Sequence, residues 1–171
     1  MLILLAGTPL LSTSPIAIGN VRAPEYRLRL YHTHTSEHID IVYRRGGDYL
    51  PDSLNRLNRF LRDHRTGAVH AYDPRVFDLL NDLAASLGNS GTEIDIICGY
   101  RTPWSNDFLR SRSSAVALHS LHMQAEAIDI RIPGIPTATL RDAALALHRG
   151  GVGYYPASQF VHVDVGRVRR W

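Results

Sequence analysis

Three residues in the last third of the chain, His122, Asp129 and His162, have the types and spacing to hold a metal ion. Ile128 to Ile132 alternate apolar with polar, and so do Val161 to Val165. That alternation describes two half-buried strands, each with a dry face and a polar one. Asp129 then shares its face with Arg131, and His162 shares its own with Asp164. If the strands pair antiparallel, Asp129 and His162 meet, because directly paired residues on one face have Cβ atoms about 5 Å apart. His122, in the loop before the first strand, supplies a third ligand. Two imidazoles and a carboxylate leave one tetrahedral position open, which is the ligand count of hydrolytic zinc sites. The single cysteine, Cys98, argues against a cysteine-rich structural site and allows no intrachain disulfide. These residues predict one Zn2+ per chain.

The elements that must position them are legible in outline. At 171 residues the chain has room for one domain with a real core, and its 44% hydrophobic and 20% charged residues exclude general disorder. Tyr26 to Tyr31 and Ile39 to Tyr43 alternate and read as a hairpin, with Arg45-Gly46-Gly47-Asp48 closing it. Pro51 begins a helix carrying Leu54, Leu57, Phe60 and Leu61 that ends by Arg65-Thr66-Gly67. Asp73 and Pro74 start a second helix that runs to Gly88. Ile94 to Ile97 is a buried strand, Ser105 caps a brief helix, Thr139 to His148 is a helix, and Val152 to Tyr155 is a further strand. The sum is an α+β domain whose mainly antiparallel sheet bears the site.

Composition narrows the partners. The net charge is +3 and all 19 basic residues are arginines spread along the chain, which predicts no nucleic-acid stripe. Met1 to Leu11 is an apolar run of the length of a signal-peptide core, followed by the small residues Ser12, Thr13 and Ser14. Residues 1–24 therefore read as a leader remnant and linker, with the true start upstream because no basic segment precedes the run. The run is shorter than the ~20 residues of a membrane span, so no stable span is expected.

Gly99-Tyr100-Arg101-Thr102-Pro103 with Asn106, the Ser120-x-His122 to Ala127-x-Asp129 spacing, and Phe160-Val161-His162-Val163-Asp164 before Trp171 carry a resemblance. From about Arg27 onward, through Thr33-His34-Thr35 and Arg62-Asp63-His64-Arg65, the chain resembles murein endopeptidases of the zinc D-alanyl-D-alanine peptidase group. The wider clan of that group includes lysostaphin-type peptidases and the hedgehog domain. The resemblance implies an exported, periplasmic hydrolase that cuts peptidoglycan stem-peptide cross-links, with zinc on His122, Asp129 and His162. It also exposes departures. Such enzymes commonly carry a glycine where this chain has Ala125 and a serine where it has Cys98. Many have an acidic residue or histidine shortly before the last zinc ligand, where this chain has Gln159 and Phe160. Asp164 is then the first candidate for the base, with the alternative that it orients an imidazole.

Arg101 is the second candidate catalytic residue, holding a substrate carboxylate or stabilising an oxyanion. Tyr100 and Tyr154 are expected to contact substrate, with Tyr155 the alternative to Tyr154, since one of those two neighbours should face the core. His32, His34 and His38 read as an exposed His- and Thr-rich hairpin, and His64, His70 and His148 as surface or helix-end residues. A rival function is a non-catalytic, zinc-stabilised peptidoglycan-binding module, which the residues at 159 and 160 would suit.

Overall fold

A computed structural model describes residues 22–88, 91–114 and 116–171. The leader-like residues 1–21 lie outside the described residues. The N-terminal alternation becomes β1 (Glu25–His32) and β2 (Glu37–Arg45), which pair antiparallel. Arg45-Gly46-Gly47-Asp48 does not close that hairpin. It turns the chain into a short β3 (Asp48–Tyr49), antiparallel to β2, with Gly46 supplying the left-handed residue at φ 55°.

The remaining strands are β4 (Glu93–Cys98), β5 (Ala127–Arg131), β6 (Gly151–Tyr155), β7 (Phe160–Asp164) and β8 (Arg169–Arg170). All join one eight-stranded sheet in the order β3-β2-β1-β4-β5-β7-β6-β8. Only β1 with β4 and β6 with β8 run parallel, so the architecture is α+β with a mainly antiparallel sheet. The N-terminal hairpin is thus part of the sheet that carries the metal-type residues, a long-range pairing that local alternation does not reveal.

Among the described residues four helices support it: α1 (Pro51–Phe60), α2 (Arg75–Ser86), α3 (Pro103–Arg110) and α4 (Thr137–Ala146). The first stops at Phe60, earlier than expected: the Arg62 amide shifts to the Arg59 carbonyl and the Asp63 amide leaves the ladder for the Ala68 carbonyl at 2.9 Å, while the Asp63 side chain takes the Arg65 amide at 2.9 Å. Asp73 opens α2 as expected, its carboxylate accepting the Arg75 amide at 2.9 Å. In α3 the cap is Thr102, not Ser105: the Thr102 hydroxyl accepts the Ser105 amide at 3.2 Å and Pro103 occupies the first turn.

Leu30, Ile94, Ile96, Ile128, Ile130 and Val161 are fully buried with Leu57, Phe77, Leu80, Leu83 and Leu140 of the helices. Each such side chain contributes roughly 1.5–3 kcal/mol, so the dry face of the sheet is what anchors it. A buried polar knot ties β2 and β3 to α2, where Asp78 accepts from Tyr43 at 2.9 Å, Tyr49 at 2.5 Å and Arg44 at 3.2 Å. Among the described residues no helix is long and apolar enough to cross a membrane. Because side chains alternate along a strand, the face opposite this core is left to Asp129 and His162.

Candidate metal centre

β5 and β7 are antiparallel neighbours in the register that sets Asp129 directly across from His162. His122 reaches them from a 3-10 turn, Leu121–Gln124, in which the His122 amide folds back on the Ser120 hydroxyl at 3.4 Å. That turn ends at Ala125, which is left-handed at φ 53° although it carries a Cβ. The conformation costs an alanine roughly 1–2 kcal/mol and is what returns the chain into β5.

Three donor atoms converge. His122 Nε2 is 3.2 Å from Asp129 Oδ1 and 3.1 Å from His162 Nδ1, and the last two atoms are 2.8 Å apart. Metal–ligand bonds of 2.0–2.1 Å at a tetrahedral ion would space its ligands about 3.3 Å apart, so the triangle is of the right size. The tautomers also fit. His122 donates its Nδ1 proton to the Gly99 carbonyl at 2.7 Å, and His162 donates its Nε2 proton to Asp164 Oδ2 at 3.2 Å. With those protons placed elsewhere, three lone pairs face one another with no hydrogen between them. Only a cation or an added proton relieves that arrangement.

The Cys98 thiol also lies within 4.8 Å of donor atoms of His122 and Asp129. It is the poorer third ligand. Burial, then the Asp129 charge, pushes its pKa up to about 12, so it stays a thiol and donates weakly to the Gly99 carbonyl at 3.7 Å. His162 Nδ1 is the closer partner of both.

Asp164 is fully buried and does not line the cavity beside the donors. Its Oδ1 accepts the Gly151 and Gly166 amides, each at 2.9 Å, and Arg169 holds both oxygens at 3.1 and 2.7 Å. Together with His162 these partners use the lone pairs of the carboxylate. Burial alone would raise its pKa, but His162 and Arg169 hold it well below the usual carboxylate range. Gly151 permits this approach, since a Cβ there would sit 2.4 Å from Asp164 Oδ2.

The donors open onto a cavity of about 450 Å³. Arg101 lines it, 8% exposed, with its amide on the His122 carbonyl at 3.2 Å and Nη2 on Ser120 Oγ at 2.9 Å. Neither Tyr100 nor Tyr154 lines it. Tyr100 lies against His70, and Tyr154 packs under the Arg141 guanidinium, 4.6 Å from its ring centre. Tyr155 takes the place given to Tyr154, together with Trp171, whose Nε1 donates to the Tyr155 hydroxyl at 2.8 Å.

His34 and His64 also line the cavity, their rings stacked 4.1 Å apart, while His32 is fully buried against Phe60. The exposed-hairpin reading is therefore wrong for His32, while His64 is half-buried where the surface reaches into the cavity. His32 shares the parity of Leu28 and Leu30, a signal that was available in the alternation. No comparable signal marks His34 and His64, which come from separate turns.

Acid should loosen this centre. Burial depresses His122, whereas for His162 the hydrogen bonds to Asp129 and Asp164 outweigh burial and raise the pKa above 6.5. A proton on His162 competes with metal for Nδ1, so affinity should be full well above that raised pKa. Below it, affinity should fall about tenfold per pH unit. Chelator competition between pH 5.5 and 8.5 measures this, and a flat profile would contradict the competition.

A mainly antiparallel sheet presenting two imidazoles and a carboxylate to an open cavity has the donor set of a hydrolytic metal site. Residues 21–171 match the family model described as peptidoglycan L,D-endopeptidase MepK, and the chain belongs to that family of metal-dependent peptidases. It is 39% identical over 165 residues to peptidoglycan L,D-endopeptidase MepK of Escherichia coli K12, covering 96% of this chain and 90% of that protein. The probable peptidoglycan L,D-endopeptidase MepK of Haemophilus influenzae is 37% identical over 165 residues, covering 96% of this chain and 88% of the relative. The MepK of Shigella flexneri is 39% identical over the same length.

Proposed function

We propose that this chain is a zinc-dependent murein endopeptidase that hydrolyses peptide cross-links of peptidoglycan, with one zinc held by His122, Asp129 and His162. The observation that carries the reading is the triangle of donor atoms at 2.8–3.2 Å, with both imidazole tautomers fixed, opening on a cavity. The names of the relatives direct it to peptidoglycan and to an L,D bond. When bound, such an ion supplies a Lewis acid that polarises a carbonyl and lowers the pKa of a water to about 7.

The chain's own residues do the rest. Gly99 and Asp164 hold the protons of the non-ligating nitrogens, so that each neutral imidazole turns its lone pair to the centre, and Asp164 acts as a positioning residue rather than the base. Arg101 brings a guanidinium that, among the described residues, Ser120 alone engages by a hydrogen bond, and stabilises negative charge developing on the scissile carbonyl oxygen. Proton transfer falls to the imidazoles that share the cavity, His34, His64 and His119. Their presence removes the argument from Gln159 and Phe160 for a non-catalytic module. Residues 25–171 form the peptidase domain, and the preceding segment serves export to the bacterial envelope, where the substrate lies.

Purified protein incubated with cross-linked muropeptides should release monomers, and chelation should stop it. Bound zinc with no bond cut would refute the reading. Arg101→Ala should retain zinc while kcat falls about 10²–10³-fold, the usual loss for one oxyanion donor. Unchanged kcat would remove Arg101 from the mechanism.

A further inference from the structure

Two positive charges in the cavity have no counter-charge. Of its three arginines, Arg169 is neutralised by Asp164, but neither Arg65 nor Arg101 forms an ion pair with a carboxylate among the described residues. Among the described residues, Arg65 Nη1 and Arg101 Nε are buried with no hydrogen-bond partner. Among the described residues Asp129 is the one carboxylate lining the cavity, and it belongs to the proposed metal site. An unpaired, partly buried guanidinium is costly unless a ligand completes it.

The two arginines are also held as a set. Asp63, fully buried, accepts the Arg65 amide at 2.9 Å through one oxygen. Through the other it accepts the Thr102 amide at 2.8 Å and the Thr102 hydroxyl at 2.7 Å. One carboxylate therefore clamps the loop of Arg65 to the residue after Arg101, and it engages Arg65 only through the main chain. The Arg65 guanidinium lies 5.8 Å from the Phe108 ring centre, and both arginine charges act on the Cys98 thiol beside the donors.

We propose that Arg65 is a specificity-determining residue that takes a free substrate carboxylate, the one on the carbon bonded to the scissile nitrogen. A diamino diacid that accepts a cross-link through its second amine keeps the carboxylate of that centre free. A planar guanidinium binds such a group in paired hydrogen bonds. This rests on the endopeptidase reading and names the feature of the cross-link that the site recognises.

The test compares a cross-linked muropeptide having that carboxylate free with the same compound amidated there. The wild-type protein should prefer the free acid by about 10- to 100-fold in kcat/KM, the worth of a hydrogen-bonded charge. Arg65→Gln should bind zinc normally and cut both compounds at similar, low rates, and Arg65→Lys should recover part of the preference. Arg101→Gln should slow both and keep the ratio. A wild-type preference that survives in Arg65→Gln overturns the proposal, as does a wild-type protein indifferent to amidation. A zinc-loaded wild-type protein that cuts neither compound overturns the endopeptidase reading itself.

Discussion

His162→Ala should lose both metal and muropeptide cleavage. His162 Nδ1 is the closest partner of Asp129 Oδ1, at 2.8 Å, and completes the triangle with His122 Nε2 at 3.1 Å. Without it two donors remain, and the Asp129 carboxylate, 8% exposed, loses one of the two imidazoles that hold its pKa down against burial. Even disturbing a partner that merely orients a ligand costs 10–100-fold in metal affinity, so removing the ligand should exceed about 100-fold. Elemental analysis and a muropeptide digest read the two losses separately. Stoichiometric zinc in a well-folded His162→Ala protein would place the metal elsewhere.

Asp164→Asn should weaken metal binding and the fold together. The carboxylate joins His162 on β7, the Gly151 amide on β6 and Arg169 on β8, and it is fully buried. The substitution leaves the Arg169 charge without its partner, and because that side chain is 32% exposed the loss falls below the roughly 3–5 kcal/mol of breaking a fully buried pair. Metal affinity should drop about 10- to 100-fold, because the Nε2 proton of His162 is no longer held by a full negative charge. Thermal unfolding and chelator competition measure the two effects. A general base would behave otherwise: zinc and stability would stay at wild-type values while turnover alone fell, and that pattern would return Asp164 to the chemistry. The depressed pKa gives a further sign. Because the folded carboxylate titrates below its unfolded value, its contribution to stability is complete above about pH 4 and disappears on further acidification.

The parts of the site legible in the sequence are those governed by strand periodicity. Alternation of isoleucine or valine with Asp129 and His162 is enough to assign faces, and a hydrophobic face specifies register strongly. The same rule assigns Tyr155 rather than Tyr154 to the site. Val152 and Tyr154 share the core-side parity, while Gly153 pairs with His162 and Tyr155 with Phe160. Reading β6 by parity from Val152 would have found it. His34, His64 and Arg65 are a different case, because each sits in a turn whose direction depends on Asp63, the Thr102 loop and the joining of β1 to β4. Those are contacts between distant segments, and no local period encodes them. Asp164 shows a third limit: its place beside His162 is visible in the strand, but its role depends on Gly151, Gly166 and Arg169 filling its lone pairs.

The claim that one metal on His122, Asp129 and His162 drives peptidoglycan cleavage is tested most directly by zinc titration. Protein stripped with a chelator is given zinc in steps while monomer release from cross-linked muropeptides is followed. Activity should be absent at the start, rise with added zinc and level off at one equivalent per chain, with His162→Ala silent throughout. Full cleavage by the stripped protein, or none after a full equivalent has bound, would contradict it.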